Sequence, residues 1–452
     1  MSDESLSVAL PAGASASTAL LDLLRGAVAA FPEAFAEVEL PSNAQRLKRS
    51  LSRTLVEVER ARVRSERGTE VAAHLVRAAH AQFTLGAGGP SLDALELSRP
   101  PELERTVARS GGWRPRVRFE GQDTSDVAAV LDRLEARHEL SPGHGKRLRR
   151  AAARVGSDGI SLAGERFAIL GAGAELAPTA HLLEAGAEVL WCDRVAPPEA
   201  LKELGGLCVP EAPLDLLARP GEVAAAVSAF AGEGRVHLGA FAYAPGKGRE
   251  WRLAAAMNAV AHALPDTQLA SIGCYISPTS VAALTPEEVT SARARGTAPW
   301  MRALAAARLL TPSRGLAEAP EVADVVVPIQ GVSYQAAQWI EKTLHAEALA
   351  HTRPALRVSA RVAPITETKS LEHPIFEVAF KGAPAFGVSI HAPSFTRPMA
   401  ALGYLEDILG PDTGRGVGGG LHGGAFLLGH SLESAIRVAA VRGSFGRARL
   451  RT

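Results

Sequence analysis

The sequence predicts an α/β protein: a doubly wound, mostly parallel sheet preceded by a helical N-terminal region. Three observations predict it. From residue 164 onward short apolar runs alternate with helical ones, as in RFAILG, AELAPTAHLLEAG and AEVLWCDR. Strands alternating with helices imply a parallel sheet covered on both faces. The first of these runs passes directly into Gly171-Ala172-Gly173, which is how a strand turns tightly into a helix. Before residue 160, by contrast, apolar residues recur at helical spacing with Arg and Glu on the other faces.

Taken in order, residues 1–18 are small and polar and are expected to be disordered. A helical region is expected over 19–160. It begins with TALLDLLRGAVAAF and SNAQRLKRSLSRTLVEVERARVRSERGTEVAAHLVRAAHAQF. Residues 86–100 read as a loop carrying a short helix. A second helical stretch over 124–154 ends in the basic run KRLRRAAAR, read as a solvated helix face, with anion binding as the alternative. The boundary falls at GSDGISLAG, and the sheet domain is expected over 161–410. Its later strands are RVHLGAFAY, QLASIGCYI, ADVVVPI and LRVSARVAP, with helices at WRLAAAMNAVAHAL and YQAAQWIEKTLHAEALA. The remainder, 411–452, is a glycine-rich segment with one final helix. Its run GRGVGGGLHGG lacks the ending of a phosphate loop and is expected to form a flexible lid or tight loops.

Composition narrows the function. Lys and Arg number 49 against 48 Asp and Glu, a balance that gives neither nucleic acid nor an anionic membrane surface a reason to bind. The three cysteines, Cys192, Cys208 and Cys274, are scattered. They fit a reducing cytoplasm better than a disulfide framework or a zinc site. No uninterrupted apolar stretch is long enough for a membrane span, and the N-terminus lacks the basic start of a signal peptide. His391, His422 and His430 have no ligand spacing, so no metal is expected. His391 ends a strand-like run before a proline-containing loop, where it is a candidate for facing a substrate pocket.

The chemistry starts at the first strand–turn–helix unit. Gly171 permits the tight turn, and Gly173 lets backbone approach a phosphate without a Cβ in the way. A helix expected from about Ala174 to Glu184 would present free N–H groups to a pyrophosphate. The next strand ends in Asp193, about twenty residues after Gly171, where an acid binds the adenosine ribose hydroxyls. The unit is therefore Rossmann-like and predicts NAD or NADP. Asp193 favours NAD by repelling a 2′-phosphate, while Arg194 favours NADP by attracting one. Gly239 and Ala240, where RVHLGAFAY ends, are expected along the path from adenosine to ribose.

These segments resemble the short-chain dehydrogenases/reductases, whose first unit reads TGxxxGxG, helix, xxGAxVxxxDR. Here it reads LGAGAELA, helix, EAGAEVLWCDR. The resemblance continues with Asn258 on a helix, Ser277 (or Ser280) after a strand, and Tyr334 before a helix. It ends in RVSARVAPITET from Arg357 to Thr368, at about the family's interval from Tyr334. It covers roughly 164–370 and places an insertion at about 285–325, containing the helix-like APWMRALAAARLL. It implies that Tyr334 is the acid–base catalyst, that Ser277 polarises the substrate oxygen and that Asn258 belongs to a proton relay. It further implies that Ala172, Glu175 and Leu176 join Gly171 and Gly173 in the cofactor turn, and that Pro364, Thr366 and Thr368 hold the nicotinamide end. Homo-oligomers built through helices beside the Tyr334 helix are implied as well. The departures are Glu175 and Ala177 in place of turn glycines, and Gln338 in place of the catalytic lysine. A glutamine can hydrogen-bond a ribose but cannot stabilise a phenolate. The expectation is an NAD(P)-dependent oxidoreductase acting on a small carbonyl or alcohol. The alternatives are a dinucleotide-binding protein without catalysis, acting as sensor or partner subunit, and an S-adenosylmethionine methyltransferase.

Overall fold

The computed structural model describes residues 7–10, 13–86, 88–295, 297–368, 374–411 and 416–449. Parts of the expected disordered tail (1–6, 11 and 12) and of the glycine-rich segment (412–415 and 450–452) lie outside them. Within the tail, Val8–Ala9 (β1) pairs with Thr84–Leu85 (β2), and Val8 is fully buried. The expectation of disorder is corrected for these residues: an apolar pair flanked by polar ones is held as a short strand once β2 is there to pair with it.

The N-terminal region folds as α1 (Ala16–Ala30), α2 (Ala44–Arg64) and α3 (Gly68–Gln82). Ser15 and Asn43 cap α1 and α2 by each accepting the backbone N–H three residues on. The long periodic stretch 42–83 breaks in two at Ser65–Arg67, where Ser65 is extended. Leu103–Arg105 (β3), the hairpin of Val117–Phe119 (β4) and Gln122–Thr124 (β5), α4 (Val127–Ala136) and α5 (Pro142–Ala153) follow. The basic run on α5 is in part a solvated face, with Lys146, Arg150 and Arg154 exposed, and in part tied to buried carboxylates. Arg147 reaches buried Asp407 (3.3 Å), and Arg150 and Arg154 both reach buried Glu406.

The sheet proper contains Arg166–Leu170 (β6), Glu188–Cys192 (β7), Leu207–Pro210 (β8), Val236–Ala240 (β9), Leu269–Ile276 (β10), Arg357–Val362 (β11) and Gly416–Gly420 (β12). Their order is β12-β11-β10-β9-β6-β7-β8-β3, parallel throughout except for β3, which runs antiparallel to β8. This is a doubly wound α/β sheet. The order reverses beside β6, which has β7 on one side and β9 on the other. Such a switch point leaves a crevice outside the carboxyl ends of the strands. Register aligns those ends: Leu170 sits against both Cys192 and Ala240, and Ile276 against Val362.

Intervening helices are α6 (Thr179–Glu184), α7 (Glu199–Lys202), α8 (Pro220–Ala231), α9 (Arg249–Ala263), α10 (Pro286–Ala294) and α11 (Pro299–Ala306). A long rod follows: α12 (Val332–Ala336), π turns over Ala337–Leu344, and α13 (His345–Thr352). The chain ends with α14 (Pro374–Gly382), α15 (Pro393–Leu409) and α16 (Leu432–Arg449). Among the described residues no helix is long and apolar enough to cross a membrane.

Residues alternate across β6. Ala168 and Leu170 belong to one core with α8, α9 and the Tyr334 rod, and Phe167 and Ile169 to a second with α4, α5 and α15. The N-terminal helices share the first core rather than forming their own. α3 packs on the π turns and on α13, the face beside the Tyr334 helix for which self-association is implied. Buried polar ties fix this docking: Trp339 Nε1 donates to Glu59 Oε2 (3.0 Å), and Arg62 bridges Glu59 and Glu347. Within the 411–452 segment, Gly416–Gly420 joins the sheet. Its glycines form edge strand β12, because a Cβ at Gly416 would meet Val358 O at 2.4 Å. One expected strand is absent: ADVVVPI is buried from Ala323 to Val327 and exposed at Ile329, and it pairs with no strand of the sheet. β3, β8 and β12 were not expected.

Candidate functional site

The turn after β6 is built as its glycines require. Gly171 has φ +81, and a Cβ there would fall 2.3 Å from Ala242 Cα. The loop after β9 thus closes tightly over the turn. Gly239 and Ala240 are buried inside β9, and a Cβ at Gly239 would strike the Phe241 ring at 2.6 Å. Their role is close packing, and the chain beyond them, Phe241–Ala242, meets the turn. Ala172 is also buried; its carbonyl accepts a hydrogen bond from Thr179 Oγ1 (2.7 Å).

The helix expected from Ala174 starts only at Thr179. Pro178 explains the correction, since its ring disfavours helical backbone in the residue before it and it lacks an N–H. Residues 171–178 are therefore irregular, and no helix N-terminus lies directly behind Gly173. Other groups stand there. The exposed Gly173 donates its N–H to Asp193 Oδ2 (2.9 Å), and Asp193 Oδ1 accepts the N–H of Arg194 (2.7 Å). Arg194 pairs with Asp215 (2.9 Å). Arg397, at the start of α15, donates through Nε to the Glu175 carbonyl. It places a cation beside the turn, and Leu176 is half-buried next to it in sequence.

The second cluster lies after β10. Ser277, Thr279 and Tyr334 form one hydroxyl network. Ser277 Oγ and Thr279 Oγ1 hydrogen-bond each other at 2.8 Å, and both hydroxyls lie close enough to the Tyr334 phenol to act on its ionisation. Burial raises the Tyr334 pKa above its ordinary value, opposed in part by the neighbouring Ser277 and Thr279 hydroxyls. Gln338 Oε1 accepts the Ser277 N–H (2.9 Å), fixing the loop that carries the network. Tyr243 stands edge-on to Tyr334, ring centres 6.3 Å apart. The alternative serine, Ser280, is fully buried, and its hydroxyl finds no partner among the described residues.

Other expected residues go elsewhere. Asn258 is not with Tyr334. Its amide donates to both the carbonyl and the carboxylate of Glu341 (2.8 Å each), two helical turns along the rod. Thr366 is buried, with its hydroxyl between Thr396 Oγ1 (2.7 Å) and the Pro364 carbonyl (2.8 Å). Pro364 is buried too, whereas Thr368 is half-buried. His391 stacks on Phe395 (4.2 Å) with Nε2 3.2 Å from Glu139. Lys342, the nearest lysine after Gln338, donates to the Tyr275 carbonyl (2.8 Å), and burial lowers its pKa. Among the described residues no cluster of His, Cys, Asp and Glu could hold a metal ion.

No family model and no curated protein matches the chain. Among solved structures, a short-chain dehydrogenase/reductase from Brucella melitensis, described as a glucose/ribitol dehydrogenase, is similar at 14% identity. The match covers 57% of this chain and 95% of that one, with a TM-score of 0.33.

Sequence reasoning missed Thr279 and Arg397. Thr279 lies two residues beyond Ser277 in SPTS and was readable as a second hydroxyl. Arg397 lies 222 residues from its partner, and no local pattern announces it.

Proposed function

We propose that this chain is an NAD-dependent oxidoreductase acting on a small carbonyl or alcohol. The convergence of the Ser277, Thr279 and Tyr334 hydroxyls at the carboxyl end of β10 carries the reading. The Gly171–Gly173 turn lies at the same end of the sheet, at the switch point.

The residues at that turn fit a dinucleotide. Gly173 is exposed, and its backbone would hold a phosphate in the absence of a Cβ. Arg397 would supply the cation that a pyrophosphate needs and that the short helix α6 does not. Asp193 would take the adenosine ribose, exchanging Gly173 N–H for hydroxyl donors. NAD is favoured over NADP because the Asp193 carboxylate repels a 2′-phosphate and Arg194 is already neutralised by Asp215.

A nicotinamide ring, when bound, supplies or takes up hydride. The protein's own part is proton placement. Burial keeps the Tyr334 phenol protonated, so it gives a proton to a substrate oxygen in the reducing direction. The Ser277 hydroxyl donates to the same oxygen, and Gln338 holds the Ser277 backbone still. A second reading, dinucleotide binding without catalysis, is favoured by one observation: Gln338 stands where a lysine would activate the phenol, and Lys342 is committed to Tyr275.

Titration of the purified chain with NADH, NADPH and S-adenosylmethionine, followed by thermal shift and fluorescence, tests the cofactor. NADH is expected to bind most tightly. Asp193→Ala is expected to weaken it roughly tenfold through loss of charge-assisted hydrogen bonds. Binding of S-adenosylmethionine alone, or of none of the three, overturns the proposal.

A further inference from the structure

A cavity of about 400 Å³ opens between α5, α10 and the loop after β12. Its volume is in the range of small-molecule sites, and it shares no residue with the Tyr334 network. One wall is His422. The ring is fully buried and lies flat on Phe426, with centres 5.0 Å apart and planes 11° apart. Its Nδ1 accepts the Gly424 N–H (3.1 Å), which leaves the proton of a neutral imidazole on Nε2. Arg295 holds this arrangement by donating to the Gly424 carbonyl (3.0 Å).

His422 Nε2 has no hydrogen-bond partner among the described residues. The nearest carboxylate oxygen, Glu288 Oε1, is 3.9 Å away, beyond hydrogen-bond reach. Glu288 is already engaged: Oε1 accepts Ser141 Oγ (2.5 Å) and Oε2 accepts the Thr285 N–H (2.8 Å). A buried donor left open on a cavity wall calls for an acceptor. Burial and the nearby Arg295 push the His422 pKa down to about 3, so the donor is the neutral ring.

The rim supplies charge. Arg149 is neutralised by Asp132 (2.8 Å) and Glu135 (2.6 Å). Lys146, one turn earlier on α5, is exposed and makes no ion pair among the described residues. Leu140 and Leu427 give the cavity apolar walls. We propose that this cavity binds a small organic monocarboxylate, with its charge toward Lys146, an oxygen on His422 Nε2 and its apolar body against Leu140 and Leu427. Glu135 and Glu288 also line the cavity and disfavour a dianion, which selects a monocarboxylate over phosphate. The proposal also gives the glycine run a role. Gly423 and Gly424 have φ +59 and +83, and a Cβ at Gly424 would meet Gly387 O at 2.3 Å, so only glycines let this loop seat His422.

The test is calorimetry and ligand-observed NMR on the full chain, with benzoate, butyrate and inorganic phosphate as probes. One of the two carboxylates is expected to bind saturably and phosphate is not. Lys146→Gln, on an exposed position, and His422→Phe, which keeps the stack on Phe426, are each expected to weaken that binding roughly tenfold. Three results overturn the proposal: no saturable carboxylate binding, equal binding of phosphate, or carboxylate affinity unchanged by Lys146→Gln with the fold intact.

Discussion

Tyr334→Phe is expected to lower turnover of a carbonyl substrate by about 10²–10⁴-fold, the usual contribution of a positioned proton donor. The change removes one oxygen. The ring keeps its edge-on contact with Tyr243, and Ser277 and Thr279 keep their 2.8 Å hydrogen bond, so fold and cofactor affinity are expected to hold. The direction of the pKa shift sets the pH profile. Burial holds the phenol above its ordinary value near 10, so its acid form persists through neutral pH. Reduction, which uses that acid form, is expected to vary little with Tyr334 ionisation between about pH 6 and 9. Alcohol oxidation, which needs the phenolate, is expected to climb as pH rises. Gln338→Lys adds a cation on the same rod and is expected to move the oxidation profile to lower pH. Steady-state rates in both directions across pH check all three statements. Unchanged turnover in Tyr334→Phe would remove the tyrosine from the mechanism and leave the non-catalytic reading.

The chain announces the centre of its sheet better than its edges, for a physical reason. β6 and β7 are buried on both faces, so they read as unbroken apolar runs, FAIL and VLWC. β12 has almost no side chains to read. It is a strand because glycines fit the tight seat beside Val358 and Asp407 and pair with β11. ADVVVPI misleads in the opposite sense. Val325, Val326 and Val327 are all buried, yet the segment runs outside the sheet, and apolar content alone does not separate those two fates. Pro178 was visible and decided the start of α6, but the spacing of Gly171 and Asp193 drew the reading toward an earlier helix.

The same division holds at the site. Ser277, Tyr334 and Gln338 meet because a strand end and a helix start are fixed by register, and both positions leave a local signal. Asn258 carried a local signal too, yet it serves Glu341. Nothing in WRLAAAMNAV shows which residue of a facing helix its amide will reach. Arg397 and Glu341 take their roles wholly from contacts distant in sequence, which a single chain does not display.

Glu341 makes the second large prediction. It is 1% exposed and stands where three elements meet. Trp251 and Asn258 of α9 donate to its carboxylate at 2.9 and 2.8 Å, and His80 of α3 faces it at 2.9 Å. Glu341→Ala therefore leaves an indole N–H, an amide N–H and an imidazole nitrogen buried together without an acceptor, besides opening a cavity. Breaking a buried charged network from one side costs about 3–5 kcal/mol, because each orphaned partner keeps its desolvation penalty. Glu341→Gln retains one acceptor oxygen but turns an NH₂ toward the remaining donors, and is expected to lose about half as much. Chemical denaturation of the two variants beside the parent chain measures the difference. A loss in Glu341→Ala below about 1 kcal/mol, the level of an ordinary surface change, would sink the account. The expected loss is large because this carboxylate joins α3 to the rod that carries Tyr334. Weakening it loosens the N-terminal helices and the support of the Ser277–Tyr334 network together.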